Sequence, residues 1–164
     1  MPEPALALRY PLLPWPEQLE PADGFLHLSA RSRVVLGEGL DEPPSLVGHF
    51  VADVQRATGL HLPHTTDSAA ASDVVLELLP ARRDELGPEG YELVVDSHAA
   101  VLRAATLHGL WNATRSLVQL FPHEPGHTEL PLVRIVDRPR FEWRGAMLDV
   151  ARHFFSVDHV LRFI

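Results

Sequence analysis

Two amphipathic segments separated by short apolar runs most constrain how this chain can fold. After Ser45, apolar residues recur every three or four positions up to Gly59, a pattern that predicts a helix capped by Ser45 and ended by Gly59. A second helix is predicted from about Thr106 to Leu120, with Pro122 as its stop. Each apolar stripe needs a surface to cover, and the runs between the helices can supply it.

These runs predict six short strands. Tyr91–Val95 and Ala100–Ala104 flank the turn Asp96-Ser97-His98 and predict a hairpin. The other predicted strands are 25–28, 33–36, 74–79 and 132–136. Strands and helices together predict an α+β domain, a mixed sheet covered by two helices.

The composition changes along the chain and predicts three parts. Residues 1–24 are rich in proline and predict an extended arm, 25–137 form the α+β domain, and 138–164 follow as a charged connector with a new βα unit. In this last part Gly145–Val150 predicts a buried strand, and Ser156 can cap a third helix. The apolar side chains around Phe154 either pack on the first domain or remain exposed as an adhesive patch.

Charge and cysteine content exclude several classes of partner and site. The formal net charge is -8, so we expect no binding to nucleic acid or to an anionic membrane. The chain has no cysteine, which excludes a disulfide framework, a thiolate zinc site and a cysteine nucleophile. No signal peptide or membrane span is evident, so we expect a cytoplasmic protein unless Met1 is a cloning start and the natural protein is secreted.

Histidine motifs do not predict a metal site. His123-Glu124-Pro125-Gly126-His127 has the letters of the H-E-x-x-H zinc motif, but proline and glycine between the histidines disfavour the helix which that motif needs. His61 and His64 lie in a predicted loop and would need a third ligand from elsewhere. We therefore expect no metal and no cofactor.

The predicted strand Gly145–Val150 presents Asp149 and Arg152 at its carboxyl end. In barrel enzymes this end of a strand faces the active site, and an arginine offers a rigid fork of donors for sugar hydroxyls or a carboxylate. The alternative is a surface ion pair of little energetic consequence. The residues alone favour the two interpretations about equally.

The stretch RPRFEWRGAMLDVARHFF, from Arg138 to Phe155, resembles the start of the catalytic barrel of family 20 glycoside hydrolases, the β-N-acetylhexosaminidases. The similarity continues from Val160 to Ile164. Upstream, the segment beginning at Gly90-Tyr91 and the segments Gly109-Leu-Trp and Leu117-Val-Gln-Leu120 resemble the accessory domain that precedes this barrel, although Asn112–Arg115 departs from the family pattern.

The resemblance implies a glycosidase that removes terminal β-linked N-acetylglucosamine or N-acetylgalactosamine. It implies retention by substrate assistance: the acetamido oxygen of the sugar attacks the anomeric carbon, an Asp orients that group and a Glu is the general acid/base. It also implies that Arg152 binds sugar hydroxyls and that Asp149 supports it. The family's Asp-Glu pair lies later in a (β/α)8 barrel of about 250 residues, of which about twenty are present, so we expect a truncated barrel with no catalytic residue and no activity of this chain alone.

Two other functions stay open at this point. A self-standing carbohydrate-binding or interaction module could use the same α+β fold without catalysis. A small metal hydrolase is suggested only by His123 and His127. We also expect self-association through the exposed apolar end beyond Phe141.

Overall fold

The computed structural model describes residues 4–42, 44–122 and 126–163. The elements in chain order are α1 (Pro4–Arg9), β1 (Gln18–His27), β2 (Val34–Leu36), α2 (Ser45–Thr58), β3 (His64–Thr65), β4 (Asp73–Leu78), α3 (Arg83–Leu86), β5 (Tyr91–Val95), β6 (Ala99–Ala104), α4 (Leu107–Gln119), β7 (Glu129–Asp137) and α5 (Val157–Phe163). A 3₁₀ turn, Pro80–Arg82, precedes α3.

The strands form one mixed sheet in the order β1-β7-β5-β6-β4-β2-β3. β2, β3, β4 and β6 run parallel, whereas β5 and β7 pair with their neighbours in antiparallel fashion. Phe50 of α2, Leu110 and Leu117 of α4 and Leu102 of β6 are fully buried in one continuous core. The predicted α+β class, a mixed sheet covered by two helices, is confirmed.

The ends of α2 and α4 follow from local sequence. Gly59 ends α2 with φ of 79° and donates its backbone N–H to the Gln55 carbonyl oxygen. The predicted cap by Ser45 is wrong, because Ser45 is already helical and Pro44, which precedes it, has no side-chain donor or acceptor. Thr106 caps α4, since its hydroxyl accepts a hydrogen bond from the Gly109 N–H at 3.1 Å.

A close backbone contact fixes the start of α4 against the loop before β5. A Cβ atom added to Gly109 would lie 2.3 Å from the Gly90 carbonyl oxygen, and one added to Gly90 would lie 2.0 Å from the Leu86 carbonyl oxygen. Both distances are too short for any side chain. The two glycines therefore let helix, loop and sheet approach one another at the end of the domain from which the connector leaves.

The prediction of an extended arm over residues 1–24 is wrong for residues 4–9, which form α1, whereas residues 18–24 are extended but belong to strand β1 of the sheet. Pro4 is the first residue of α1, where its missing N–H costs nothing, and Ala5 to Arg9 are good helix formers. Gln18–His27 forms an edge strand that accommodates Pro21 beside a register shift between Pro21 and Phe25. Tyr10, between these elements, is fully buried and its hydroxyl donates to the Leu132 carbonyl oxygen at 2.8 Å.

The sheet face that does not carry the helices holds a row of alternating charges. Glu92 of β5 lies at its centre with its side chain only 9% exposed. It accepts hydrogen bonds from Arg82 at 2.6 Å and from Arg134 at 2.8 Å, and Arg103 lies 3.6 Å away. These pairs tie β5 to β6, β7 and the turn before α3.

Candidate functional site

The connector and the segment beyond it leave the sheet after β7. The prediction of a buried strand at Gly145–Val150 is wrong: these residues have no regular secondary structure, and Met147 is 90% exposed. The strand is absent because no other strand among the described residues pairs with this segment. The helix predicted after Ser156 is confirmed as α5, and the Ser156 hydroxyl accepts from the His159 N–H at 3.3 Å.

Asp149 and Arg152 lie next to each other in this exposed segment. The Arg152 guanidinium donates to one carboxylate oxygen of Asp149, and the other oxygen accepts the backbone N–H of Ala151 at 2.9 Å. The Arg152 side chain is 84% exposed and that of Asp149 is 41% exposed. Asp149 thus fixes one nitrogen of the guanidinium, while most of the fork remains open to a ligand.

A polar cluster at the base of the connector has a more buried centre. The Asp137 carboxylate, at the end of β7, accepts the Glu17 backbone N–H at 3.0 Å and the Tyr91 hydroxyl at 3.2 Å. The Tyr91 hydroxyl also lies 2.5 Å from the Ser116 hydroxyl of α4. Arg138, the next residue, places its Nε 3.1 Å from a carboxylate oxygen of Glu17. We call Glu17, Tyr91, Ser116, Asp137 and Arg138 the connector joint.

Burial dominates the ionisation of the connector joint. It raises the pKa of Asp137, and hydrogen bonds from the backbone N–H groups of Glu17 and Arg138 and from Tyr91 only partly offset that effect. Burial likewise raises the pKa of Tyr91 well above its ordinary value, so its hydroxyl stays protonated and can donate. The hydrogen bonds of the joint therefore oppose the cost of burying the Asp137 carboxylate without cancelling it.

A second set of contacts holds the connector further along. The Arg144 guanidinium pairs with the Glu89 carboxylate, and its Nη1 donates to the Phe141 carbonyl oxygen at 2.7 Å. The side-chain amide of Asn112 donates to the Glu89 carbonyl oxygen at 2.8 Å. An open cavity of about 500 Å³ lies between α4 and the connector, with Trp15 and Phe141 in its lining. The connector is thus held by contacts at both of its ends, and the cavity separates its middle part from α4.

The predicted absence of a metal site concerns two histidine motifs. His123, Glu124 and Pro125 of the H-E-x-x-H letters lie outside the described residues. Within residues 4–42, 44–122 and 126–163 no three histidine, aspartate or glutamate side chains are grouped closely enough to hold a metal ion. No helix in the same ranges is long and apolar enough to cross a membrane.

The sequence predicts Asp149 and Arg152 as site residues and gives no prediction of the connector joint. The sequence pattern places Asp137 at the end of the α+β domain and indicates no partner for it. One signal was available: Tyr91 occupies an inward position of a buried strand, and a buried tyrosine hydroxyl needs a hydrogen-bond partner. The identity of that partner depends on the pairing of β5 with β7, which places Tyr91 opposite Asp137.

Two sequence models of one family match consecutive parts of the chain. Residues 9–138 match glycosyl hydrolase family 20, domain 2, and residues 141–164 match the catalytic domain of the same family. The boundary between the matches falls in the connector, immediately after the joint.

Known β-N-acetylhexosaminidases and related enzymes align with nearly all of the chain. A β-N-acetylhexosaminidase from Cellulomonas fimi is 38% identical over 90% of this chain, which spans 30% of that relative. The structure of a family 20 exo-β-N-acetylglucosaminidase variant from Vibrio harveyi superposes with a TM-score of 0.78 at 27% identity, over 94% of this chain and 23% of that one. The structure of a Streptomyces plicatus β-hexosaminidase variant in complex with its product N-acetylglucosamine superposes with a TM-score of 0.75 at 27% identity. This superposition covers 94% of this chain and 31% of that one.

Proposed function

The chain belongs to glycosyl hydrolase family 20, and on that premise we propose that it forms the accessory domain and the first part of the catalytic domain of a β-N-acetylhexosaminidase. The observation that carries this proposal is the pair of family matches, which meet in the connector. The complete enzyme would hydrolyse terminal β-linked N-acetylglucosamine or N-acetylgalactosamine. Its relatives include a β-hexosaminidase that binds N-acetylglucosamine as product.

Substrate assistance is part of this proposal. The acetamido oxygen attacks the anomeric carbon as the bond to the leaving oxygen breaks, and the general acid protonates that oxygen. Water then gives a proton to the general base and attacks the anomeric carbon from the face that the leaving group has vacated. The bond to the acetamido oxygen breaks on the opposite face, so the configuration is retained. We assign neither the orienting aspartate nor the general acid/base glutamate to a residue of this chain.

Arg152 is the proposed substrate contact. Its guanidinium is exposed, it is restrained at one nitrogen by Asp149, and the remaining donors are arranged as a planar fork. Such a fork can donate to two neighbouring hydroxyls of a sugar. Asp149 acts through Arg152, because its carboxylate fixes the direction of the fork and does not need to touch the sugar.

The first test assays the 164-residue chain with 4-nitrophenyl N-acetyl-β-D-glucosaminide. We expect no release of nitrophenol above the rate without protein. Turnover that co-purifies with the chain and survives repurification would contradict the assignment of the catalytic pair to other parts of the enzyme.

The second test uses the protein translated from the complete reading frame. Arg152→Ala should lower kcat/KM by about 100-fold or more, since hydrogen bonds from a charged donor contribute about 1.5–3 kcal/mol each. Arg152→Lys should lie in between, because lysine keeps the charge and loses the fork. The control is Arg31→Ala, a change at an exposed arginine of the α+β domain. An Arg152→Ala enzyme as active as the control would refute the substrate contact.

A matched substrate tests the proposed nucleophile in the same protein. A trifluoroacetamido group has a much weaker oxygen nucleophile than an acetamido group at nearly the same size. The trifluoroacetamido glycoside should therefore react orders of magnitude more slowly. Equal rates would indicate that a protein group, and not the substrate, attacks the anomeric carbon.

We further propose that the exposed apolar side chains after Phe141 allow the 164-residue chain to self-associate. Trp143 is 93% exposed and Phe154 is 95% exposed, in a segment with several other exposed apolar residues. Sedimentation velocity over a range of concentrations should show association of the parent chain and less of it for Phe154→Ser. The control is Leu8→Ser in α1, where the leucine is 85% exposed. An equal effect of both changes would argue against this segment as the contact.

A further inference from the structure

The connector joint links four parts of the fold at the point where the chain leaves the sheet. Asp137 closes β7, Tyr91 opens β5, Ser116 lies in α4 and Glu17 lies in the loop before β1. The hydrogen bonds Glu17 N–H to Asp137 and Tyr91 hydroxyl to Asp137 are 3.0 and 3.2 Å long. A single carboxylate thus joins the N-terminal loop, the sheet and, through Tyr91, the helix.

These hydrogen bonds lie where they can orient the connector as well as stabilise the domain. The Glu17 backbone N–H donates to Asp137, and the side chain of the next residue, Arg138, returns to the Glu17 carboxylate. The two bonds restrain the start of the connector relative to the loop before β1. Leu13 in the same loop donates its N–H to the Gln119 side chain at 2.8 Å, which anchors that loop to α4.

We propose that Asp137 is a positioning residue: its hydrogen bonds set the direction in which the connector leaves the sheet, and with it the placement of Arg152. The role assigned to Arg152 rests on the proposed function. The direction of the connector does not, because it depends only on contacts within the described residues. Asp137 touches no reacting atom in this scheme and acts through the chain that follows it.

Spin labels can measure this direction in the 164-residue chain itself. The chain has no cysteine, so Gln55→Cys in α2 and Ala146→Cys beyond the connector would give exactly one labelled pair. Both positions are exposed. Double electron–electron resonance then gives the distribution of distances between the domain and the segment that carries Arg152.

Asp137→Ala should at least double the width of this distribution, because alanine removes the carboxylate that accepts the Glu17 N–H and the Tyr91 hydroxyl. Asp137→Asn should restore most of the narrow distribution, since an amide oxygen can still accept the Glu17 N–H and the amide group can bond to the Tyr91 hydroxyl. Tyr91→Phe should widen it partly and gives a second test if Asp137→Ala folds poorly.

The matched control is Asp96→Ala. Asp96 lies directly after β5 and, like Asp137, uses its carboxylate as an acceptor: it accepts the backbone N–H groups of His98 at 2.7 Å and Ala99 at 2.9 Å. It lies in the hairpin and away from the connector. The control should lose stability and keep the narrow distribution. An unchanged distribution in Asp137→Ala and Tyr91→Phe, or equal broadening in Asp96→Ala, would overturn the proposal. These distances involve no substrate, so their failure is distinct from an absence of glycosidase activity in the complete protein.

Discussion

Glu92→Gln tests how much the row of charges on the open sheet face stabilises the domain. Glu92 is nearly buried and is surrounded by three arginines, of which Arg82 and Arg134 donate hydrogen bonds at 2.6 and 2.8 Å. Glutamine has almost the same shape and keeps one oxygen acceptor. It removes the negative charge and directs an amide group, a donor, at a guanidinium that is also a donor.

The size of the effect follows from the partners that remain. Removal of one partner from a buried ion pair typically costs about 3–5 kcal/mol because the other charge is left uncompensated. Here each arginine keeps a second carboxylate: Arg82 has Glu85, Arg103 has Glu77 and Arg134 has Glu20. We therefore expect the free energy of unfolding to fall by about 2–3 kcal/mol, or the melting temperature by about 5–10 °C.

Urea denaturation at pH 7 measures this difference, with Glu77→Gln as control. The Glu77 side chain is 24% exposed and its carboxylate is 2.6 Å from Arg103, so we expect its loss to cost under about 1 kcal/mol. Equal losses of unfolding free energy in the two variants would show that Glu92, buried among three arginines, stabilises the domain no more than a carboxylate in an ordinary surface ion pair does.

The pH dependence gives a second check on Glu92. Burial alone would raise its pKa, but hydrogen bonds from Arg82 and Arg134 outweigh burial, and the pKa is lowered. A lowered pKa stabilises the folded state above the unfolded value of about 4.3, and this contribution is lost as the pH falls through the folded value. The difference between wild type and Glu92→Gln should therefore shrink between pH 5 and pH 2. A difference that grows on acidification would refute this reasoning.

Two further changes test the close backbone contact and the connector joint. Gly109→Ala should destabilise the domain by about 2 kcal/mol or more, because its Cβ would meet the Gly90 carbonyl oxygen. Gly48→Ala in α2 is the control: its Cβ would have no atom within 4 Å, so this change should stabilise the domain by about 0.5–1 kcal/mol. Thermal melts compare the two variants. The raised pKa of Asp137 means that its ionisation costs stability as the pH rises through the folded value, so wild type should lose stability relative to Asp137→Asn between pH 3 and pH 7 in urea titrations.

The parts of the fold that were predictable are those whose residues alone decide the outcome. The apolar stripes of α2 and α4 and the turn at Asp96 depend on spacing within one segment, and the structure has both helices and the hairpin. The prolines of residues 1–24 were misleading, because proline is tolerated at the start of a helix and on an edge strand. Whether a proline-containing strand lies at an edge depends on the order of the whole sheet, which no local pattern reveals.

The candidate site divides in the same way. Asp149 and Arg152 are three positions apart, so their pairing could be anticipated from the sequence. The connector joint unites residues separated by up to 121 positions, as in the hydrogen bond from Arg138 to Glu17. Such a site follows only from the register of β5 on β7, since that pairing sets Tyr91 opposite Asp137.

The wrong prediction at Gly145–Val150 has a physical cause that bears on the function. An apolar run of this kind is typical of a parallel strand buried on both faces, and such a strand needs neighbours on both sides for its N–H and C=O groups. The seven-stranded sheet cannot provide them, because β7 already lies between β1 and β5. The run is therefore suited to a different sheet, and the match of residues 141–164 to a family 20 catalytic domain identifies a barrel as the kind of sheet it suits. On this reasoning the exposed Met147 and Val150 are side chains patterned for a barrel interior and its surrounding helices, not for the α+β domain beside them.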